Sequence, residues 1–128
     1  MSEKEAALGV VQGVIDAMNK GENTVGLAGL NQDVVIIDDV PPFRRSGHLE
    51  AELWFRRLSN GRNRLNASLG LKEADVRVSE DRAYVVAPGV LNGSLNDTSF
   101  DVDGTVTATL VRNDGSWLVD TLIWSSGR

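Results

Sequence analysis

The segment from Thr105 to Trp124, TVTATLVRNDGSWLVDTLIW, constrains the fold more than any other. Two alternating runs rich in Thr and Val flank Asn113-Asp114-Gly115-Ser116. Gly115 supplies a position that tolerates positive φ, so the segment predicts a long β-hairpin. Folded about that turn, Val111 stands opposite Leu118, Thr109 opposite Asp120, Thr107 opposite Leu122 and Thr105 opposite Trp124. Strand side chains alternate, so these residues share one face. The other face holds Val106, Ala108, Leu110 and Arg112 with Trp117, Val119, Thr121 and Ile123. An antiparallel sheet with one wet face has one clean polar face. Neither face here is clean, so both are expected to be covered, one by helices and a cavity and the other by a second subunit. Asp120 is then the single carboxylate on the Thr109 face. A one-residue slip in register would exchange the two sets.

The chain before the hairpin alternates helical and β-branched patterns. Ala7, Val10, Val11, Val14 and Met18 recur at helical spacing and predict a helix over 3–20. Ser2, Glu3 and Glu5 suit its start, and Lys20-Gly21 its end. A short second helix is expected over 24–31, with Leu27 and Leu30 inward. Val34 to Asp38 reads as a strand that Pro41-Pro42 ends or kinks. A third helix, 48–60, would turn Leu49, Leu53, Trp54 and Leu58 inward and close at Asn60-Gly61. Strands follow over 73–79 and 82–91, the second carrying a bulge at Pro88-Gly89. Residues 92–99 read as a polar loop. This order predicts one α+β domain over residues 1–128, with helices laid on one face of an antiparallel sheet.

Composition narrows the chemistry. With 128 residues the chain can bury a single core, and its formal net charge of −5 offers no electrostatic footprint for nucleic acid or anionic membranes. Cysteine is absent and His48 is the only histidine. Thiolate chemistry, disulfides and multi-histidine metal sites are thereby excluded, and neither metal nor cofactor is expected. The N-terminal MSEKEAALGV lacks a signal-peptide pattern and no apolar run spans a bilayer, so a cytoplasmic protein is the expectation. Three Asn-X-Ser/Thr triplets, at Asn66, Asn92 and Asn96, are read as coincidence.

Several motifs in order carry a resemblance. They are Gly21-Glu22-Asn23 after the first helix, Asp33-Val34-Val35-Ile36-Ile37-Asp38, and Ser46-Gly47-His48-Leu49-Glu50 entering the third helix. Asp114-Gly115-Ser116-Trp117 and Trp124-Ser125 complete the set. Together they span nearly the whole chain, which resembles the nuclear transport factor 2-like superfamily, including ketosteroid isomerases and SnoaL-like polyketide cyclases. The resemblance implies a cone-shaped, curved antiparallel sheet around a pocket, three helices in the N-terminal half, and a homodimer through the outer sheet face. In ketosteroid isomerases the proton-transferring aspartate sits near the end of the first strand, where this chain has Asp38. Their oxyanion donors are a tyrosine on the first helix and an acid on the penultimate strand. Here those places hold Val14, Ile15 and Thr107. Losing one such donor costs about a hundredfold or more in rate, so the resemblance does not imply efficient steroid isomerisation. Many relatives carry His or Asp just before the final tryptophan, where this chain has Leu122 and Ile123.

Asp38 and Asp120 are the candidate catalytic pair. Two carboxylates in an apolar cavity can have their proton affinities pushed apart, one serving as acid and one as base. Asp39 replaces Asp38 if the first strand has the other register. Trp54, Trp124, Tyr84, Phe43, Thr107, Thr109 and Met18 are the candidate lining for a hydrophobic, ring-containing ligand. His48 is a weaker candidate base at a helix start. Arg44, Arg45, Arg56, Arg57, Arg62 and Arg64 form a basic stretch, read either as a solvated face or as a steering patch at the pocket mouth. Three functional classes remain open at this level. One is a cofactor-free isomerase, cyclase or dehydratase, and another is a non-catalytic ligand-binding module. The third is a scaffold dimerising through Val106, Ala108, Leu110, Val119 and Ile123.

Overall fold

A computed structural model describes residues 2–59 and 65–127. Helix α1 (Glu3–Lys20) starts from a reciprocal cap. Ser2 Oγ accepts from the Glu5 amide, and the Glu5 carboxylate accepts from the Ser2 amide. Gly21 ends the helix in the left-handed region at φ 72°. Its buried face is Ala7, Val11, Val14, Ile15 and Met18, the spacing read from sequence. Helix α2 (Asn23–Ala28) is shorter than expected, because Leu30 already belongs to strand β1 (Leu30–Ile37). A short strand β2 (Arg44–Ser46), not foreseen, folds back on β1, placing Arg45 opposite Ile36.

Helix α3 (Gly47–Ser59) turns inward a face that only partly matches the expected one. Trp54 is buried and Leu58 packs against the core as expected, but Leu49 and Leu53 are exposed and Ala51 and Phe55 are buried in their place. Both stripes satisfy a 3.6-residue period, and the one carrying the two aromatic rings removes more apolar surface from water. The expected end at Asn60-Gly61 lies outside the described residues, as do Arg62 and Arg64. Strand β3 (Leu65–Leu71) was not anticipated; β4 (Asp75–Ser79), β5 (Arg82–Leu95), β6 (Thr98–Asn113) and β7 (Ser116–Ser126) complete the sheet.

The seven strands lie in the order β2-β1-β7-β6-β5-β3, with β4 beside β3 along the same edge of β5. All pairings are antiparallel except β1 with β7, which is parallel. Residues 92–99 are not a loop. Asn96 and Asp97, at φ 51° and 67°, make a two-residue turn of the kind that matches strand twist, and pairing runs unbroken to Leu95 and Thr98. No bulge occurs at Pro88 either. It pairs with Thr105 in continuous register, on the stretch of β5 where the outer neighbour changes from β4 to β3. Its carbonyl accepts from Lys72 on that side, so the missing proline N–H faces the gap between the two ladders.

The bulge lies instead at Asp120. Leu110 pairs with Val119 but Thr109 pairs with Thr121, leaving Asp120 as the extra residue. Beyond it every residue of β7 changes face relative to the simple hairpin. Leu122 therefore joins Val106, Ala108, Leu110, Trp117 and Val119 in the core, and Ile123 faces out. Most of the expected dimer surface is thus the interior of one subunit. Val106, Ala108, Leu110 and Val119 are fully buried under the helices. The outer face is Tyr84, Val86, Thr107, Thr109 and Ile123. At the far end, Glu3 clips α1 to the β6–β7 hairpin, pairing with Arg112 at 2.7 Å and accepting from Trp117 Nε1 at 3.2 Å. Among the described residues, no helix is long and apolar enough to cross a membrane.

Candidate ligand cavity

Helix α1 covers only half of the inner sheet face. Along β5 that half is Ala83, Val85 and Ala87, and along β6 it is Val106, Ala108 and Leu110. The hairpin then continues past the helices, and the same face emerges as Leu91, Leu95, Phe100 and Val102. Together with Met18, Trp54, Leu69 and Trp124, this overhang walls a cavity of about 810 Å³.

One polar cluster interrupts that apolar wall. Val34, Ile36 and Asp38 alternate inward along and just beyond β1, and Arg45 faces inward opposite Ile36. Arg45 Nη1 donates to Asp38 Oδ1 at 3.0 Å, with both side chains about nine-tenths buried. The Val40 amide donates to the same oxygen at 3.1 Å, and Trp54 Nε1 donates to Oδ2 at 2.8 Å. A buried charge requires a partner, and here each ion is the other's. The indole and the amide fix the carboxylate's orientation. Asp39 also lines the cavity, but its carboxylate accepts from the Ser126 amide at the end of β7. Arg57 stands at the mouth.

The sequence-predicted residues divide accordingly. Asp38, Trp54, Trp124 and Met18 line this cavity. Asp120 does not: at the bulge it accepts from Asn31 Nδ2 at 3.1 Å and approaches Arg82 at 3.9 Å. Asp38 and Asp120 therefore share no cavity, and the two-carboxylate arrangement is absent. Thr107, Thr109 and Tyr84 lie on the outer face, Tyr84 being half-exposed. The same bulge accounts for the threonines, because the hairpin face that received Leu122 and Trp124 is the one opposite to theirs. Phe43 is exposed at the β1–β2 turn with φ 69°. His48 Nε2 donates to the Leu30 carbonyl at 3.0 Å and lies outside the cavity. Within the basic stretch, Arg44 is exposed and Arg56 pairs with Glu52 on the helix surface, while Arg45, read from sequence only as one of that stretch, turns inward opposite Ile36 and is buried. Among the described residues, no cluster of acidic or histidine side chains is arranged to hold a metal ion.

Trp124 owes its position to two glycines. Gly89 and Gly104 pair across β5 and β6, and the indole lies over them. A Cβ on Gly104 would stand 2.5 Å from both the Ser125 carbonyl and the Trp124 ring. Gly104→Ala is expected to lift the ring into the cavity and to cost about 1–3 kcal/mol as an overpacked site. Thermal unfolding and the near-ultraviolet circular dichroism of the tryptophans would register both effects. An unchanged spectrum would mean that the ring is not seated on this pair.

A second depression of about 750 Å³, lined by Asn19, Lys20, Arg56, Ser68 and Asn92, is polar and open, and holds no comparable buried charge. No family model and no curated protein matches the sequence. The fold itself is recognised in solved structures. An NTF2-like protein of unknown function from Pseudomonas putida KT2440 aligns with a TM-score of 0.81 at 16% identity, covering 97% of this chain and 86% of that one. A candidate ketosteroid isomerase from Shewanella frigidimarina aligns at 0.76 with 21% identity, covering 94% of both chains. The CaMKII hub of S. rosetta aligns at 0.82 with 16% identity, covering 99% and 98%. The chain therefore has the nuclear transport factor 2-like fold.

Proposed function

We propose that this NTF2-like chain binds a ring-containing, largely apolar small molecule in the cavity, and that Asp38 is the group that exchanges a proton with it. The observation that carries the proposal is the Asp38 carboxylate, oriented by Trp54 and Arg45 in a largely apolar cavity whose other acid, Asp39, is engaged by the Ser126 amide. An isomerase, cyclase or dehydratase reaction needs such a group, placed where water is scarce. The candidate isomerase sharing the fold supports that choice of chemistry. The non-catalytic alternative draws on a different fact. Both Asp38 oxygens already accept hydrogen bonds, so the carboxylate can also serve as a purely structural partner of Arg45.

A neutral apolar dye, Nile red, tests the binding step. Val102→Trp is expected to fill the cavity and to weaken dye binding at least tenfold with the fold retained. Undiminished binding would move the ligand elsewhere. For any ligand then found, Asp38→Asn separates the readings. Turnover followed by mass spectrometry should vanish while binding persists. A ligand recovered unchanged from the wild-type protein would favour the binding module.

We place a homodimer on the outer sheet face, through Tyr84, Val86 and Ile123. Tyr84 and Val86 are 53% and 41% exposed, an apolar content unusual for a solvated sheet face. The hub sharing the fold lends this assembly support. Val86→Asp is expected to convert a sedimenting dimer into a monomer, and a wild-type monomer would end the idea.

A further inference from the structure

Arg45 has donors left over. Only Nη1 is engaged by Asp38, and its Nε and Nη2 make no hydrogen bond among the described residues. The residue is 8% exposed, and it lines the cavity. A guanidinium carries five N–H donors and no acceptor, so the donors that Asp38 leaves unused are open to the cavity and can meet an acceptor oxygen that enters it. We infer that Arg45 is the residue that selects the ligand, by donating its free N–H groups to the oxygen of a neutral carbonyl group on the apolar ring.

The charge balance decides between a carbonyl and a carboxylate. Asp38 and Arg45 already cancel each other at 3.0 Å. A ligand carboxylate at Arg45 would stand beside the Asp38 carboxylate in a site shielded from water, where like charges repel strongly. A ketone, ester or lactone oxygen engages the free donors without that conflict. Its ring then lies among Trp124, Leu69, Leu91 and Val102, walls with no competing charge. Arg57 at the mouth faces solvent, where a charge is screened, and contributes little to this choice.

This inference rests on the small-molecule reading of the cavity, and three naphthalenes of similar size separate the two. Displacement of Nile red is measured with 2-acetylnaphthalene, 2-ethylnaphthalene and 2-naphthoate. The ketone is expected to bind about tenfold more tightly than the hydrocarbon, the effect of one hydrogen bond to a charged donor. The carboxylate is expected to bind more weakly than the ketone. In the double variant Arg45→Met/Asp38→Leu, which leaves no unpaired charge, the hydrocarbon should still bind and the ketone's advantage should disappear. Equal binding of ketone and hydrocarbon by the wild-type protein would overturn the role of Arg45 while leaving the cavity reading intact, as would tightest binding of the carboxylate. If Nile red binds but none of the three displaces it, the selection by Arg45 is likewise overturned. If Nile red itself does not bind, the cavity reading falls and the inference falls with it.

Discussion

Replacing Arg45 alone with methionine is expected to lower the unfolding free energy by about 3–5 kcal/mol, the usual cost of stranding one partner of a buried ion pair. The pair qualifies because its side chains are only 9% and 10% exposed. Methionine roughly keeps the volume, so the loss would come from the Asp38 carboxylate, left with an indole and one amide as its partners. Converting both members to apolar residues should recover most of the loss, because desolvating two ions offsets most of their attraction in the native pair. Urea unfolding of the two single variants and of the double variant Arg45→Met/Asp38→Leu forms the cycle. A loss below about 1 kcal/mol in Arg45→Met would show the pair behaving as an exposed one. The outcome bears on function as well. A pair with a large coupling holds Asp38 in one orientation, which is what a proton-transfer group or a ligand anchor requires.

Phe55→Ala is expected to be comparably severe, at about 3–5 kcal/mol. Phe55 is fully buried on α3. One edge of its ring packs against α2, where a Cβ built on Gly26 would come within 3.0 Å of it. Its centroid lies 5.6 Å from that of Trp54, with the rings tilted at 48°. Removing the ring would open a void between two helices that cannot close without moving Trp54, which holds Asp38. A domain of this size has about 5–15 kcal/mol in total, so the variant should melt at least about 10 °C lower. It should also bind Nile red less well even below its melting point. A fall of only a few degrees would mean that α2 and α3 collapse onto each other and that Trp54 is not supported by this contact.

The elements that could be read from the chain were those whose information is local. The α1 face from Ala7 to Met18 follows from periodicity, and the cap at Ser2 from Glu5 three residues on. The turn was read from the Asn113-Asp114-Gly115-Ser116 cluster, and Asp114 and Gly115 indeed take positive φ values of 51° and 81°. Asp38 was recognised through the resemblance, as the acid near the end of the β-branched first strand. The polar tract 92–99 misled because polarity suggests a loop, whereas Asn96-Asp97 is itself the turn signal and the flanking residues pair in a sheet that overhangs solvent. Likewise, the two leucines Leu49 and Leu53 fit a helical stripe as well as Ala51, Trp54 and Phe55 do. Periodicity alone cannot choose between them.

The sequence by itself determined the α+β class, the long final hairpin and the inward helix α1, which depend on spacing and on residue chemistry within a few positions. The candidacy of Asp38, Trp54 and Trp124 came from the family resemblance that its motifs carry. Only the tertiary structure decided which face of the hairpin is the core, and with it the exclusion of Asp120, Thr107 and Thr109 from the cavity. One inserted residue inverts a strand's faces, and the bulge at Asp120 is stabilised by Asn31, 89 positions away in the chain. In hindsight its trace is the spacing of Trp117, Val119, Leu122 and Trp124, which skips a position between Val119 and Leu122. Leu118 and Ile123 blur that trace, since both are apolar on the outer face. The pairing of Arg45 with Asp38 was decided the same way. A guanidinium in a run of arginines becomes a buried partner only once β2 folds back on β1 and brings it to Asp38, whose other oxygen Trp54 holds from helix α3.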